Sequence, residues 1–129
     1  MKAKNARFGL TFIALIYIIF ALMFFVAPAF FAPGLGFENL SPEALIEIRA
    51  IYGGLELALG LSLLYFTYTK QESVAAYLAL IPLLGFAGGR LIGICIGGAL
   101  GLHLCYLAFE LFLAALAFLA LKQSKGIQS

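Results

Sequence analysis

Residues 8–31 read FGLTFIALIYIIFALMFFVAPAFF, 24 positions without a charged side chain. A helix that crosses the hydrocarbon core of a bilayer needs about 20 apolar residues. The breaker cluster Ala-Pro-Gly follows at positions 32–34 and ends the run. The stretch therefore predicts a first membrane-spanning helix over residues 8–31.

A secretory signal peptide is the alternative for this segment, because Lys2, Lys4 and Arg7 precede it and Ala-Pro-Ala at 27–29 resembles a cleavage site. The apolar core of a signal peptide is about 7–15 residues long. The uninterrupted run over 8–25 has 18 residues. We therefore expect a helix that is not cleaved.

The composition excludes a soluble globular domain. Hydrophobic residues make up 64% of the 129-residue chain and charged residues 11%, against about 45–50% and about 25% in ordinary domains. This length predicts a single domain, 1–129, with four spanning helices, and its first partners are membrane lipids. The net charge of +2, without a basic cluster, argues against a nucleic-acid partner.

Polar breaks divide the rest of the chain into three further segments, with predicted helices over about 42–68, 73–97 and 100–122. Ser41 is placed to cap the second helix, Pro42 suits its first position, and Glu43 suits its first turn. The predicted fold class is all-α, an integral membrane four-helix bundle.

The basic residues outside the apolar segments predict the orientation. They lie in the two termini and in the break between the second and third segments: Lys2, Lys4, Arg7, Lys70, Lys122 and Lys125. Since cytoplasmic loops are enriched in Lys and Arg, we expect both termini in the cytoplasm, an N-in/C-in arrangement.

A glycine occurs at every fourth position of the third segment, at Gly85, Gly89, Gly93, Gly97 and Gly101. This spacing lets two helices approach closely. It predicts a packing seam within the bundle in preference to a dimer face, with the last glycine in the turn that follows.

Cysteine and metal chemistry receive little support. Cys95 and Cys105 flank the last turn, and two free, buried thiols are favoured over a disulfide, although their redox state stays open. His103, Glu56 and Glu110 offer metal-binding atoms, but the chain has no Glu-x-x-His pair of the kind found in carboxylate-bridged bundles. We expect no metal site.

Four ionisable residues interrupt the apolar segments: Arg49, Glu56, Arg90 and Glu110. A charge at the bilayer centre costs about 2.5–3.5 kcal/mol or more, so such residues are paired, hydrated or functional. At about 1.5 Å per residue, the arginines lie about 10 Å from the outer ends of their helices, within reach of water. Glu56 and Glu110 lie about 16–20 Å from either end of theirs, too deep to reach it.

Side chains lean toward the N-terminus of their helix. In the N-in/C-in arrangement, Arg90 therefore leans toward the midplane, both glutamates lean toward Arg90, and Arg49 leans outward. We expect Arg90 to pair with Glu56, with Glu110 or with both, and Arg49 to lie at the outer mouth.

Helical spacing brings these charges into an outward-facing polar pocket. Arg49, Gly53, Glu56 and Gly60 form one stripe with Tyr52 beside it, and a second stripe lies on the fourth segment. The predicted ligand-binding residues are Arg49, Tyr52, Glu56, Arg90, His103, Tyr106 and Glu110. A purely structural ion pair is the alternative reading of the same residues.

The run Arg-Ala-Ile-Tyr-Gly-Gly-Leu-Glu at 49–56, with Arg90 and Glu110, resembles a family of small four-helix bacterial membrane proteins of unknown function. That family is distantly similar to the DoxX-like proteins. The resemblance implies a multi-pass protein of the bacterial inner (plasma) membrane. Some DoxX-like relatives are associated with quinone-linked oxidoreductase complexes, and others are accessory or assembly proteins.

Three function hypotheses follow. The first is a non-catalytic binding protein or accessory subunit that holds an amphipathic ligand, a quinone or a lipid, in the pocket. The second is an oligomeric proton-coupled or small-solute transporter with the glutamates as proton carriers. The third is a membrane isomerase or oxidoreductase. Besides lipids, the partners that these hypotheses allow are another membrane protein or a second copy of the chain.

Overall fold

A computed structural model describes residues 2–98 and 101–125 of the chain. Position 100, where the fourth helix was predicted to begin, and the chain ends at 1 and 126–129 lie outside the described residues. Helices account for nearly all of the described part, which contains no strand. The elements are α1 (Lys2–Val26), α2 (Pro28–Phe31), a 3-10 turn (Ala32–Leu35), α3 (Pro42–Tyr68), α4 (Glu72–Gly97) and α5 (Leu102–Lys125).

Four of these helices, α1, α3, α4 and α5, are long and apolar enough to cross a membrane. Large apolar side chains cover the outside of the bundle; Phe8, Val26 and Ile96 are each more than three-quarters exposed. Such a surface suits lipid and not water. The predicted all-α fold is confirmed for the described residues, and it includes four helices that are long and apolar enough to span a membrane.

The first helix begins at Lys2 and ends at Val26, so it both starts and ends before the predicted span of about 8–31. Ala27 breaks it with φ −134° and ψ 60°, because the residue before a proline avoids the α-helical conformation. Pro28 then opens the short helix α2. The apolar run thus extends past the end of the spanning helix and into α2.

The start of α3 follows the predicted capping pattern. The Ser41 hydroxyl accepts a hydrogen bond of 3.2 Å from the Ala44 backbone N–H, and Pro42 occupies the first helical position. Midway along the helix, Arg49–Leu55 winds as a π-helix. Because a π-helix bonds each residue to the fifth one along, it has more residues per turn than an α-helix. Side chains on either side of it are therefore rotated relative to the regular spacing.

Two glycines of α3 form the close seam with α1. A Cβ atom on Gly53 would lie 3.1 Å from the Phe25 Cα, and one on Gly60 would lie 3.0 Å from the Ala14 carbonyl oxygen. No side chain fits at either position without a shift of backbone. Glu56 lies between these glycines on the same helix and is buried by the close approach of α1.

The glycines of α4 do not pack as predicted. Gly85, Gly89, Gly93 and Gly97 are exposed, and no atom lies within 4 Å of a Cβ built at any of them. Helix α4 instead buries the opposite face, which carries Ala75, Ala76, Ala79, Leu83 and Ala87. The buried residues are offset from the glycines by two positions, as Leu83 is from Gly85, and two positions correspond to about half a turn of the helix.

The two cysteines lie near the end of the bundle that holds the turn between α4 and α5. Both Cys95 and Cys105 are free, as expected, but they are exposed and not buried. They lie on the apolar outer surface because their helices pack through other faces.

The apolar core is divided along the length of α1. One cluster includes Leu10, Ile13 and Leu63, and the other centres on Phe24 with Ile48. The stretch of α1 between Ile13 and Phe24 borders a cavity, and this cavity holds the buried charges.

We predict that Gly60→Ala lowers the free energy of unfolding by about 1–3 kcal/mol, because the added methyl overpacks the seam with α1. The matched control is Gly89→Ala, where the space is open. There, replacing glycine within a helix is expected to be neutral or stabilising by up to about 1 kcal/mol. The measurement is unfolding in mixed micelles with increasing dodecyl sulfate, followed by circular dichroism. Equal effects at the two positions would contradict the assignment of the seam.

Candidate functional site

A cavity of about 280 Å³ lies within the bundle, bounded by all four spanning helices and by the segment between α2 and α3. Its volume is near the lower end of the range of about 300–1,000 Å³ that small-molecule pockets have. Six of the seven predicted site residues line it: Tyr52, Glu56, Arg90, His103, Tyr106 and Glu110.

Arg90 of α4 forms an ion pair with Glu110 of α5. Its Nη2 lies 2.7 Å from Oε1 of Glu110, and its Nε lies 3.1 Å from both carboxylate oxygens. Both side chains are largely buried, with exposed fractions of 23% and 12%. Of the pairings predicted for Arg90, the structure contains the one with Glu110.

His103 completes this polar cluster, and its contact with Arg90 is a hydrogen bond in only one tautomer. Its Nδ1 lies 3.1 Å from Nη1 of Arg90. Because a guanidinium can only donate hydrogen bonds, Nδ1 accepts this one, which makes the imidazole neutral with its proton on Nε2. The Nε2 atom faces the loop, 3.8 Å from where a Cβ of Gly36 would lie.

Tyr106 ties the loop between α2 and α3 to the charge cluster. Its hydroxyl donates a hydrogen bond of 2.7 Å to the Gly34 carbonyl oxygen, and the guanidinium carbon of Arg90 lies 5.1 Å from the centre of its ring. The loop can turn here because Gly36 has a φ of 87°, which favours glycine. Leu35 and Phe37 of the same loop consequently cover the cavity.

Glu56 remains without a partner. Its exposed fraction is 7%, and no hydrogen bond or ion pair joins it to another residue of the described ranges 2–98 and 101–125. Glu110 is near enough for the two carboxylates to interact electrostatically, but Arg90 is directed at Glu110. A buried carboxyl group without a partner is uncommon in folded proteins and calls for an explanation.

Arg49 is the one predicted site residue that the structure keeps away from the cavity. It is exposed, and its Nε donates a hydrogen bond of 3.3 Å to the Phe25 carbonyl oxygen. That carbonyl lies in the last turn of α1, where the helix leaves acceptors unsatisfied and favours a cation. The π-helix that begins at Arg49 explains the difference, because it turns this residue off the face of Glu56.

The sequence patterns missed the contribution of α1. Tyr17 lines the cavity, and its buried hydroxyl has no hydrogen-bond partner among the described residues. The lining residues that were not predicted are Ile16, Tyr17, Phe20, Leu35, Phe37, Leu83, Phe86, Phe109 and Leu113. The signal available for Tyr17 was that it interrupts the apolar run with the only polar ring of the first segment.

A second cavity of about 280 Å³ adjoins the first. Arg90 and His103 line both cavities, and Gly93 and Ile94 bound the second one. The Arg90–His103 pair therefore forms part of the boundary between the two spaces.

A family model described as Domain of unknown function (DUF4345) matches residues 5–121. The chain belongs to this family. The prediction of a family of unknown function is thus confirmed, whereas the distant link to the DoxX-like proteins stays a prediction. No curated protein and no solved structure gives a significant match.

All the cavity-lining residues of this DUF4345 member fall within the matched range. Apart from the tyrosines and His103, the ionisable groups that line the cavity are Arg90, Glu110 and Glu56, and of these only Glu56 has no partner among the described residues. A polar ligand group entering the cavity would therefore find an acceptor in Glu56, a hydroxyl in Tyr17, and two guanidinium N–H groups that Glu110 and His103 leave free. Apolar parts of a ligand would contact aromatic and leucine side chains.

We predict that Arg90→Gln and Glu110→Gln each lower the free energy of unfolding by about 3 kcal/mol or more, since either change leaves a buried charge without its partner. The double variant should lose less than the sum, by a coupling of about 0.5–3 kcal/mol. Unfolding in dodecyl sulfate mixed micelles measures all three variants.

The control for this cycle is the ion pair between Arg7 and Glu72 at the opposite end of the bundle. Its contact is also 2.7 Å, but the pair is less enclosed, since the side chains of Arg7 and Glu72 are 40% and 14% exposed. Because water reaches its arginine, we expect a weaker coupling, closer to the value of about 0–1 kcal/mol for exposed pairs. Additive effects at Arg90 and Glu110, or equal couplings in the two pairs, would contradict a buried ion pair.

Proposed function

We propose that this protein binds an amphipathic small molecule in its intramembrane cavity, by itself or as the accessory subunit of a membrane complex. The observation that carries the proposal is the unpaired hydroxyl of Tyr17, which is buried in the cavity wall. Glu56 supports it as a second buried polar group without a partner. A cavity with a purely structural role would be expected to satisfy such groups internally.

The charges of the cavity favour certain polar heads. Arg90 is already bound by Glu110, so it offers two N–H groups but no unpaired positive charge. An anionic lipid head would meet Glu56 and is disfavoured. Of the two predicted ligand classes, quinones and lipids, a quinone suits the site better, because its carbonyl oxygens can accept hydrogen bonds from Tyr17 and Arg90.

The walls suit the remainder of such a ligand. Seven of the fifteen lining residues are phenylalanine or tyrosine. Aromatic rings pack against one another at centroid distances of about 4.5–7 Å, in stacked or edge-on arrangements. A planar head and the first part of an apolar tail could therefore be held by ring contacts, while the polar groups set the orientation.

Transport is the second candidate, and the adjoining cavity favours it. Since Arg90 and His103 border both spaces, rotation of these side chains would join the two cavities. Small solutes or protons could then move between Glu56 and the far side of the Arg90–His103 pair. This candidate differs from the first because it requires the Arg90 and His103 side chains to move.

We predict that Tyr17→Phe weakens ligand binding about three- to tenfold, the loss of one hydrogen bond of about 0.5–1.5 kcal/mol. Because the hydroxyl has no protein partner, its removal should leave the free energy of unfolding unchanged or raise it. Equilibrium dialysis of a short-chain benzoquinone in nonionic detergent measures the binding.

Tyr65→Phe is the control, since Tyr65 is 61% exposed and far from the cavity. A destabilised Tyr17→Phe variant would show a structural role for the hydroxyl and contradict the proposal. So would a wild-type protein that neither binds the quinone nor purifies with a lipid.

We further propose an N-in/C-in orientation in the bacterial inner membrane, supported by the grouping of basic residues at one end. The start of α1, the turn between α3 and α4, and the end of α5 share that end and carry Arg7, Lys70 and Lys122. The opposite end carries the acidic residues Glu38, Glu43 and Glu47 in and after the loop. The cavity lies nearer to this acidic end and would open outward.

We predict that a C-terminal green fluorescent protein fusion is fluorescent in a bacterial host, whereas a C-terminal alkaline phosphatase fusion is inactive. Both results follow from a cytoplasmic C-terminus, because the phosphatase folds only outside the reducing cytoplasm. Phosphatase inserted at Glu38 should be active. The reverse pattern would overturn the proposed orientation.

A further inference from the structure

We propose that the cavity accepts an amphipathic organic cation, an ammonium centre on an apolar body, with the Glu56 carboxylate as its counter-ion. The inference rests on the proposed binding function and names a ligand class for the same cavity. Its basis is the net charge of the cavity, because the contacts around it provide a counter-charge for Arg90 and Glu110 but none for Glu56.

The groups that face Glu56 come from every helix around the cavity. They are Tyr17 of α1, Tyr52 of the same helix as Glu56, Arg90 of α4, and His103, Tyr106 and Glu110 of α5. Arg90 is neutralised by Glu110 at 2.7 Å, and His103 is neutral because its Nδ1 accepts from Arg90. The tyrosines are neutral side chains. An ionised Glu56 therefore leaves the cavity with one uncompensated negative charge.

The aromatic walls suit the same kind of ligand. A cation over the face of a phenylalanine or tyrosine ring is attracted by the ring, and quaternary ammonium groups are commonly recognised in this way. The cavity already contains such a contact, since the guanidinium of Arg90 lies 5.1 Å from the centre of the Tyr106 ring. Among the described residues, no cation lies over the remaining lining rings, which include Phe20, Phe86 and Phe109.

Binding of a cation at Glu56 is an exchange with a proton. An empty cavity favours the protonated carboxyl group, because a buried carboxylate without a partner is costly. When the ammonium enters, the carboxyl group releases its proton to water and the carboxylate pairs with the ammonium. No covalent bond to the ligand forms or breaks. A higher proton concentration therefore competes with the cation.

The test uses two ligands that differ in one atom, 4-hexylphenyltrimethylammonium and 1-hexyl-4-tert-butylbenzene, in which carbon replaces the charged nitrogen. Binding to the full chain in nonionic detergent is measured by equilibrium dialysis, and partition into protein-free micelles is subtracted. The proteins are the wild type, Glu56→Gln, Glu56→Asp and Glu47→Gln. Glu47 is an exposed acidic residue outside the cavity and serves as the matched control.

We expect the wild type to prefer the cation over its neutral analogue, and acidification to weaken binding of the cation alone. Glu56→Gln should lower cation affinity by about tenfold or more, as removal of a buried charge partner does, and should abolish its pH dependence. Binding of the neutral analogue should not change. Glu56→Asp keeps the charge and should keep the preference, and Glu47→Gln should behave as the wild type.

Equal binding of the two ligands to the wild type, or cation binding that survives Glu56→Gln, would overturn this inference. If the neutral analogue or the benzoquinone binds and the cation does not, the inference is wrong and the proposed binding function stands. If none of the three binds and the protein also purifies without a lipid, both are wrong. Because Glu56 makes no hydrogen bond or ion pair to the described residues, its change to glutamine is not expected to unfold the protein.

Discussion

A guanidinium inside a membrane requires a counter-charge, and the ion pair between Arg90 and Glu110 supplies it. Both carboxylate oxygens of Glu110 contact Arg90, so α4 and α5 are held in register at this depth. His103 and Tyr106 contact other parts of the same guanidinium. Tyr106 in turn holds the loop that covers the cavity. The arrangement uses one carboxylate and leaves the other, Glu56, without a partner.

The close contact between α1 and α3 determines where that second carboxylate lies. Gly53 and Gly60 let the backbones approach on either side of Glu56, which removes the residue from water. The same approach brings Tyr17 of α1 to the cavity wall. A packing feature without polar side chains thereby places two unpaired polar groups at one cavity. Their pairing with a ligand, and not with the protein, is what makes this cavity a binding site in our proposal.

Much of the site could be predicted because depth and side-chain direction are regular along a helix. The burial of Glu56 and Glu110 and the inward lean of Arg90 follow from the helix positions alone. The absence of Arg49 from the cavity could not be predicted, because the π-helix over Arg49–Leu55 changes the angle between successive residues. The place of Tyr17 in the cavity wall could not be predicted either, because α1 is apolar on all sides and no periodic pattern shows which face it buries.

The glycines also show a difference between what the sequence pattern predicts and what the packed bundle decides. Composition and spacing identify small residues on both α3 and α4, and either set satisfies the pattern for close packing. Only the set on α3 is in contact with a neighbouring helix. Local patterns describe one helix at a time, whereas a seam depends on which faces of two helices meet.

From the sequence alone follow the membrane-spanning helices, the capped start of α3 and the presence of charges too deep to reach water. These properties depend on length, hydropathy and local geometry, which a single segment carries. Only the packed bundle decides that Arg90 pairs with Glu110 and not with Glu56. It also decides that Arg49 lies away from the cavity and that Tyr17 lines it. These features depend on distances between helices, and a helix contains no information about how far away its neighbour lies.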